Sequence, residues 1–187
     1  MSGANVIKVE VDEDEERGVQ LYGEFLSHNL ERENLPGLVN LRLPQVQDSL
    51  NYDLARLAEV FSQSEERDLV RQRAEEIDLE SLSTENFLSL INELFHDGGI
   101  TQERVLVLFF FCSDLTIRAC RAGLGSLCLN ITNWTLGFLR RTVAVWVRVQ
   151  GGWSKVLRGQ GSYSDTMLVI GSSIIIISFI LYYRRRT

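Results

Sequence analysis

At 187 residues with only two prolines, the chain has room for one domain with one sizeable core, and its shortage of breakers favours helices. The net charge of −6 hides an asymmetry: residues 1–103 hold 8 basic and 23 acidic side chains, and residues 104–187 hold 11 and 2. A cationic half whose arginines are interleaved with aliphatic runs points to anionic lipid as a partner and away from nucleic acid. Two histidines, with no Walker loop, dinucleotide fingerprint or metal-ligand spacing, argue against an enzyme and against any cofactor or metal.

The opening MSGANVIKVEVDEDEER has no basic n-region and no apolar h-region, so no secretory signal is expected. Residues 1–14 read as a disordered acidic N-terminus, and no strand pattern is longer than Val6–Val11. Glu15–Arg32 predicts the first helix, with Val19, Tyr22, Phe25, Leu26 and Leu30 as its apolar stripe. Acidic residues at its start suit the helix dipole. A loop from Glu33 to Leu43 follows, marked by Pro36 and Gly37, with Pro44 beyond it.

Asp48–Ser62 predicts a second amphipathic helix. Its Leu50, Leu54, Leu57 and Phe61 fall at i, i+4, i+7 and i+11, which makes a narrow apolar seam. Glu65–Ile77 is a charged helical stretch. Thr84–Phe95 is another helix, capped by Ser83 or Thr84 and stopped by His96-Asp97-Gly98-Gly99. From Thr101 to Ala122 runs the most apolar helix before the tail, expected at the centre of the domain, with Asp114 and Arg118 in the favourable i, i+4 order for an ion pair.

Cys112, Cys120 and Cys128 lie in apolar surroundings and are expected to be buried reduced thiols. After a loop at Gly123–Ser126, Ile131–Gln150 reads as one long helix. Its Arg140, Arg141, Ala144 and Arg148 share an arc of about 100°, and apolar residues cover most of the rest. Gly151-Gly152 ends it, and Trp153–Leu157 adds a short helix. Asn130-Ile131-Thr132 and Asn133-Trp134-Thr135 match the glycosylation pattern, which is idle in a cytosolic chain.

A linker over 159–166 leads to Met167–Tyr183, seventeen residues without a charge, followed by Arg184, Arg185 and Arg186. Such a helix is about 25 Å long, near the ~30 Å hydrocarbon thickness. It is expected to be a C-terminal tail anchor, marked by Met167, Ile174, Ile177, Tyr183 and Arg184, that leaves the bulk of the chain in the cytosol. Ser172 and Ser173 make it less apolar, so groove docking is the other expected state. The fold class expected is therefore all-α: a helical bundle with a central hydrophobic hairpin wrapped by amphipathic helices over residues 15–158, plus that C-terminal helix.

These elements in this order resemble the B-cell-lymphoma-two family of apoptosis regulators, over about residues 15–187. Residues 145–153, VWVRVQGGW, resemble the family's second homology motif, with Trp146, Gln150, Gly151, Gly152 and Trp153 as its marks. Trp134–Leu139 resembles a stretch found in the family's pore-forming members. Leu94-Phe95-His96-Asp97-Gly98 followed by Arg104-Val105 matches the first motif in spacing, and Leu50, Leu54, Leu57 and Phe61 match the third, the death helix. Two departures stand out. Thr101, Gln102 and Glu103 occupy the places of the first motif's asparagine, tryptophan and glycine, and Ala58-Glu59 replaces the third motif's Gly-Asp.

The resemblance implies helix-in-groove recognition. Phe95, Asp97, Gly98, Arg104, Val105 and Leu108 would line the groove, and Glu59 would keep the charge that pairs with Arg104, with Glu103 as a competitor. It further implies a pro-apoptotic effector that is activated by a death helix, dimerises and assembles further with itself, and permeabilises the mitochondrial outer membrane. Helices 103–122 and 131–150 would cross the membrane, with Arg140, Arg141 and Arg148 facing headgroups or pore water. Implied partners are death-helix proteins, survival-type or effector relatives, and anionic mitochondrial lipid. The endoplasmic reticulum is the other implied membrane. The alternatives are a survival-type relative that holds death helices without forming pores, and a tail-anchored helical scaffold outside the family.

Overall fold

The computed structural model describes residues 12–35, 50–96 and 98–158. The expected N-terminal tail up to residue 11, residues 36–49 with most of the expected Glu33–Leu43 loop and the start of the expected Asp48–Ser62 helix, Asp97, the linker and the tail anchor with its Met167, Ile174, Ile177, Tyr183 and Arg184 lie outside the described residues. Asp12, Glu13 and Asp14, expected in the disordered tail, are instead the cap and first residues of the first helix. The fold is an all-α bundle. Its helices are α1 (Glu13–Arg32), α2 (Tyr52–Ser62), α3 (Glu65–Glu76), α4 (Thr84–His96), α5 (Gln102–Arg121), α6 (Gly125–Phe138), α7 (Ala144–Gln150) and α8 (Trp153–Arg158). A π-helical turn, Leu139–Val143, joins α6 to α7.

The core is built around α5, whose residues from Arg104 to Ser113 are all buried. α1, α3, α4 and α6 pack around it. Aromatic contacts tie the layers: Tyr22 meets Phe109 edge-on at 5.2 Å, while Phe25 and Phe61 each reach Phe110 at 4.9 Å. Capping follows the sequence. Asp12 accepts from the Asp14 and Glu15 amides to start α1, Ser83 accepts from the Asn86 amide to start α4, and Thr101 accepts from the Arg104 amide to start α5.

The reversal after α5 is tighter than expected. Gly123 takes φ +73°, its amide donates to Cys120 O, and the Leu124 amide donates to Ala119 O. That pattern closes the helix and turns the chain within two residues, so α6 starts at Gly125, six residues before the expected Ile131. From there to Gln150 the chain continues as one rod, interrupted only by the π turn that carries Arg140 and Arg141.

Three expectations are corrected here. Cys120 and Cys128 are joined by a disulfide, because the tight turn brings their Cα atoms to 5.9 Å. Of the three expected reduced thiols only Cys112 is free and buried, and burial pushes its thiol up to about 12. Asp114 pairs not with Arg118 but with Arg67 of α3, through two hydrogen bonds of 2.7 Å. α3 lies across α5 and presents a guanidinium fork that the i+4 arginine cannot match. Arg118 instead donates to the Ala74 and Ile77 carbonyls at the end of α3.

The third correction concerns the membrane. Among the described residues, no helix is long and apolar enough to cross one. α5 has the length, but Glu103, Arg104, Asp114, Arg118 and Arg121 punctuate it. The rod from α6 to α7 carries its arginines in its second half. The expected pair of spanning helices is thus not found among the described residues.

Candidate functional site

α2 starts at Asn51, whose Oδ1 accepts from the Leu54 amide at 3.2 Å. Its seam faces inward: Leu54 and Phe61 are buried, while Leu50 and Leu57 are half-buried and packed on the core. Leu54 and Leu57 lie against Val105, Leu106 and Phe109 of α5 and Trp153, Val156 and Leu157 of α8, leaving a void of only about 10 Å³ between them. The ligand-like face of α2 is therefore seated on its own domain. Ala58 is half-buried. Glu59 is exposed and accepts from Gln63 Nε2 at 2.6 Å, so the expected Glu59–Arg104 pair is not formed. The two stand apart because Glu59 lies on the outer face of α2.

Arg104 itself is 4 % exposed. Its Nη1 donates to Gly99 O at 3.1 Å, and its Nε has no partner among the described residues. Gly98, at φ +93°, lies beside it: a Cβ there would stand 3.3 Å from Nη2. The first motif's glycine thus supplies both a left-handed turn and room for the arginine. Phe95 stacks on Phe138 at 5.6 Å, and Val105 and Leu108 are buried. Of the expected groove residues, the structure brings Val105 to the α2 seam, places Leu108 in the interior and leaves Phe95 half-buried against the core. Glu103 does not compete for Arg104. It lines a separate cleft of about 440 Å³ with Trp146, Gln150, Lys155 and Val156.

The second motif makes the corner that holds α8. Gly151 and Gly152 both take φ +93°, and their amides donate to the Arg148 and Val147 carbonyls, ending α7. Trp153 then turns inward, donates from Nε1 to Asp14 O at 2.7 Å, and covers Gly18 of α1 so closely that a Cβ there would stand 2.8 Å from its ring. Arg140 and Arg141 are exposed as expected, but Arg148 forms an ion pair with Asp12. The expected polar arc is therefore in part an interhelical tie.

Two features were not found in the sequence. Glu24 of α1 is 4 % exposed and accepts from the Asn51 amide at 3.1 Å. Gly18 is the seat of Trp153. Each had a faint signal, since a glutamate among Tyr22, Phe25 and Leu26 and a glycine inside a helix both run against local preference.

Taken together, these features define an all-helical protein in which an amphipathic helix sits at one end of a buried central helix. The family profile described as apoptosis regulator proteins, Bcl-2 family, matches residues 54–153. That span is more than half of the sequence, and the chain belongs to this family. Mouse apoptosis regulator BAX is 38% identical over 73 residues, covering 39% of this chain and 38% of that protein. Human Bcl-2-related ovarian killer protein is 28% identical over 100 residues, covering 54% of this chain and 47% of that one. The matches thus span less than half of these relatives. Among solved structures, Trichuris suis BCL-2 superposes with a TM-score of 0.63 at 16% identity, covering 79% of this chain and 93% of that one. Chicken BOK gives 0.54 at 20% identity, covering 78% and 95%. Both likenesses concern the fold alone.

Proposed function

We propose that this chain is a pro-apoptotic effector, activated by a death helix and then permeabilising the mitochondrial outer membrane as a self-assembled oligomer. The observation that carries the reading is the seat of α2. Leu54 and Leu57 are packed against α5 and α8 of the same chain, Phe61 against Phe110 of α5, and Leu50, just before the helix, against the core, so the helix is held in reserve and becomes a ligand only when it leaves. Likeness to BAX and to a protein named a killer supports the effector over the survival-type alternative.

In this reading an incoming helix engages a groove walled by Phe95, Asp97, Gly98, Arg104, Val105 and Leu108. α2 is released, and its Leu50, Leu54, Leu57 and Phe61 enter a second copy. The bilayer step does not need spanning helices. Val145 and Val149 of α7 are 51% and 79% exposed, and Arg140 and Arg141 are exposed beside them. Such a surface suits an amphipathic helix lying in an anionic interface. The tail over Met167–Arg184 would anchor the chain with its bulk in the cytosol, at mitochondria or the endoplasmic reticulum.

Dye release from liposomes of mitochondrial anionic composition tests this, using the full chain with and without a death-helix peptide. Release that rises with peptide and is lost in Leu57→Glu is expected. Intact liposomes with tight peptide binding would replace the effector by the survival-type reading. Intact liposomes without binding would remove both.

A further inference from the structure

The Glu24 carboxylate stands out as a buried acid that the helix-in-groove scheme does not use. Its side chain is 3% exposed, in the middle of α1. Oε2 accepts from the backbone amide of Asn51, and Oε1 lies 3.8 Å from Arg17 Nη1. Asn51 is the N-cap of α2, so the charge sits at the positive end of that helix, where a carboxylate is most favourable. A hydrogen bond to an ionised acceptor is the strong kind, and shielding from water strengthens it. Besides the helix's own Asn51 cap, the other described polar tie that joins the first turn of α2 to another helix, Asp53 to Arg158 at 3.5 Å, is exposed on the arginine side and correspondingly weak.

We propose that Glu24 is the positioning residue that latches α2 shut: an α1 carboxylate buried at the N-terminus of the death helix, whose loss frees that helix without an activating partner. The logic is local. The apolar seam of α2 is non-directional and can slide or re-pack elsewhere. The Asn51–Glu24 bond fixes where the helix begins, and hence the register of Leu54 and Leu57 over α5 and α8. When α2 leaves, Glu24 keeps only the loose Arg17 contact, so opening exposes an acid that must then be hydrated. Arg17 offsets the burial of the charge without competing for the oxygen that holds α2. The consequence for membranes rests on the effector reading; the latch itself does not.

The test is hydrogen exchange on the full chain, read at the α2 amides and at the α5 amides, for wild type, Glu24→Ala, Glu24→Gln and Arg17→Gln. Loss of one charge-assisted bond predicts α2 exchange faster by about tenfold or more in Glu24→Ala, with α5 unchanged. Gln keeps an acceptor and should recover part of that protection, and Arg17→Gln should leave most of it. Dye release without peptide should rise in the same order. Unchanged α2 protection in both Glu24 variants, or acceleration spread equally over α5, would overturn the latch. Selective α2 opening without dye release at any peptide concentration would keep the latch and remove the effector reading. Should Glu24→Ala fail to fold, the Gln variant carries the comparison alone.

Discussion

α2 and α3 are neighbours in sequence and both pack on α5, yet opposite physics holds them. α2 presents an apolar seam of Leu54, Leu57 and Phe61, with Leu50 just before it, and one part-buried backbone tie at its start. α3 is mostly charged, burying only Val70 and Ala74. It is fixed by direction instead: Arg67 grips Asp114 bidentately and lies 4.7 Å over the Phe110 ring, and Arg118 reaches back to the Ala74 and Ile77 carbonyls. Arg71 and Arg121 both converge on Glu33. Apolar contacts can be re-formed on another surface of similar shape. Paired charges and carbonyls left without partners cannot. On the effector reading, the helix that leaves is held by the transferable kind of contact and the one that stays by the other.

The largest effect should come from breaking the α3 side. Arg67→Ala leaves the Asp114 carboxylate unpaired in a site where burial already holds it above the usual carboxylate range, despite Arg67 and Arg71. A loss of about 3–5 kcal/mol in urea unfolding of the full chain is expected. Arg67→Met together with Asp114→Leu should recover most of it, since an apolar pair of similar volume replaces the charges. Phe61→Ala on the α2 side should cost about 3–4 kcal/mol, because Phe61 is buried against Phe110. The two should differ in kind: Phe61→Ala raises α2 exchange selectively, and Arg67→Ala lowers global stability. Equal profiles would dissolve the distinction.

Gly18→Ala is the next step down, at about 1–3 kcal/mol from overpacking. Its Cβ would displace Trp153, and Trp153, Val156 and Leu157 are the floor under Leu54 and Leu57. The comparison therefore predicts faster exchange in α2 and α8, with α3 unaffected.

A third side of α5 serves as a control. Cys112 and Tyr22 are both fully buried, and burial holds the thiol near 12 and raises the phenol well above its ordinary value. In the unfolded chain the thiol ionises near 9. Between those values the unfolded state binds fewer protons, so stability is full below about pH 9 and falls as pH rises, by up to about 1.4 kcal/mol per unit from the thiol. Cys112→Ala should flatten that slope. The slope should be the same in Phe61→Ala and Arg67→Ala backgrounds if the three faces of α5 act independently.

The difference between α2 and α3 also explains what could be read in advance. The α2 seam was legible because it is periodic within one helix, as were the caps at Ser83 and Thr101 and the glycine stop at Gly151. Arg67–Asp114 was not, because local pattern offers Arg118 as the partner, and only packing across 47 residues supplies a better one. Glu24 escaped for the same reason: its partner is a backbone amide 27 residues away, to which side-chain patterns are blind. The pairing of Glu59 with Arg104, inferred from family likeness, is not formed here, because α2 presents Glu59 to solvent.

That last point gives the smallest expected effect. Glu59→Ala should change the stability of the full chain by less than about 0.5 kcal/mol, since an exposed side chain bonded, among the described residues, to Gln63 at i+4 contributes little. The same change in a free peptide of residues 48–64 should weaken its binding to the full chain severalfold, measured by titration calorimetry, because there the carboxylate would meet Arg104. The two numbers belong together. Silence in the folded chain with a loss in the peptide means that Glu59 acts only once α2 has left its seat. A stability loss above 1 kcal/mol would mean instead that Glu59 helps to hold the closed form. Equal affinity of the two peptides would leave Arg104 with a purely structural task, beneath Gly98 and Gly99.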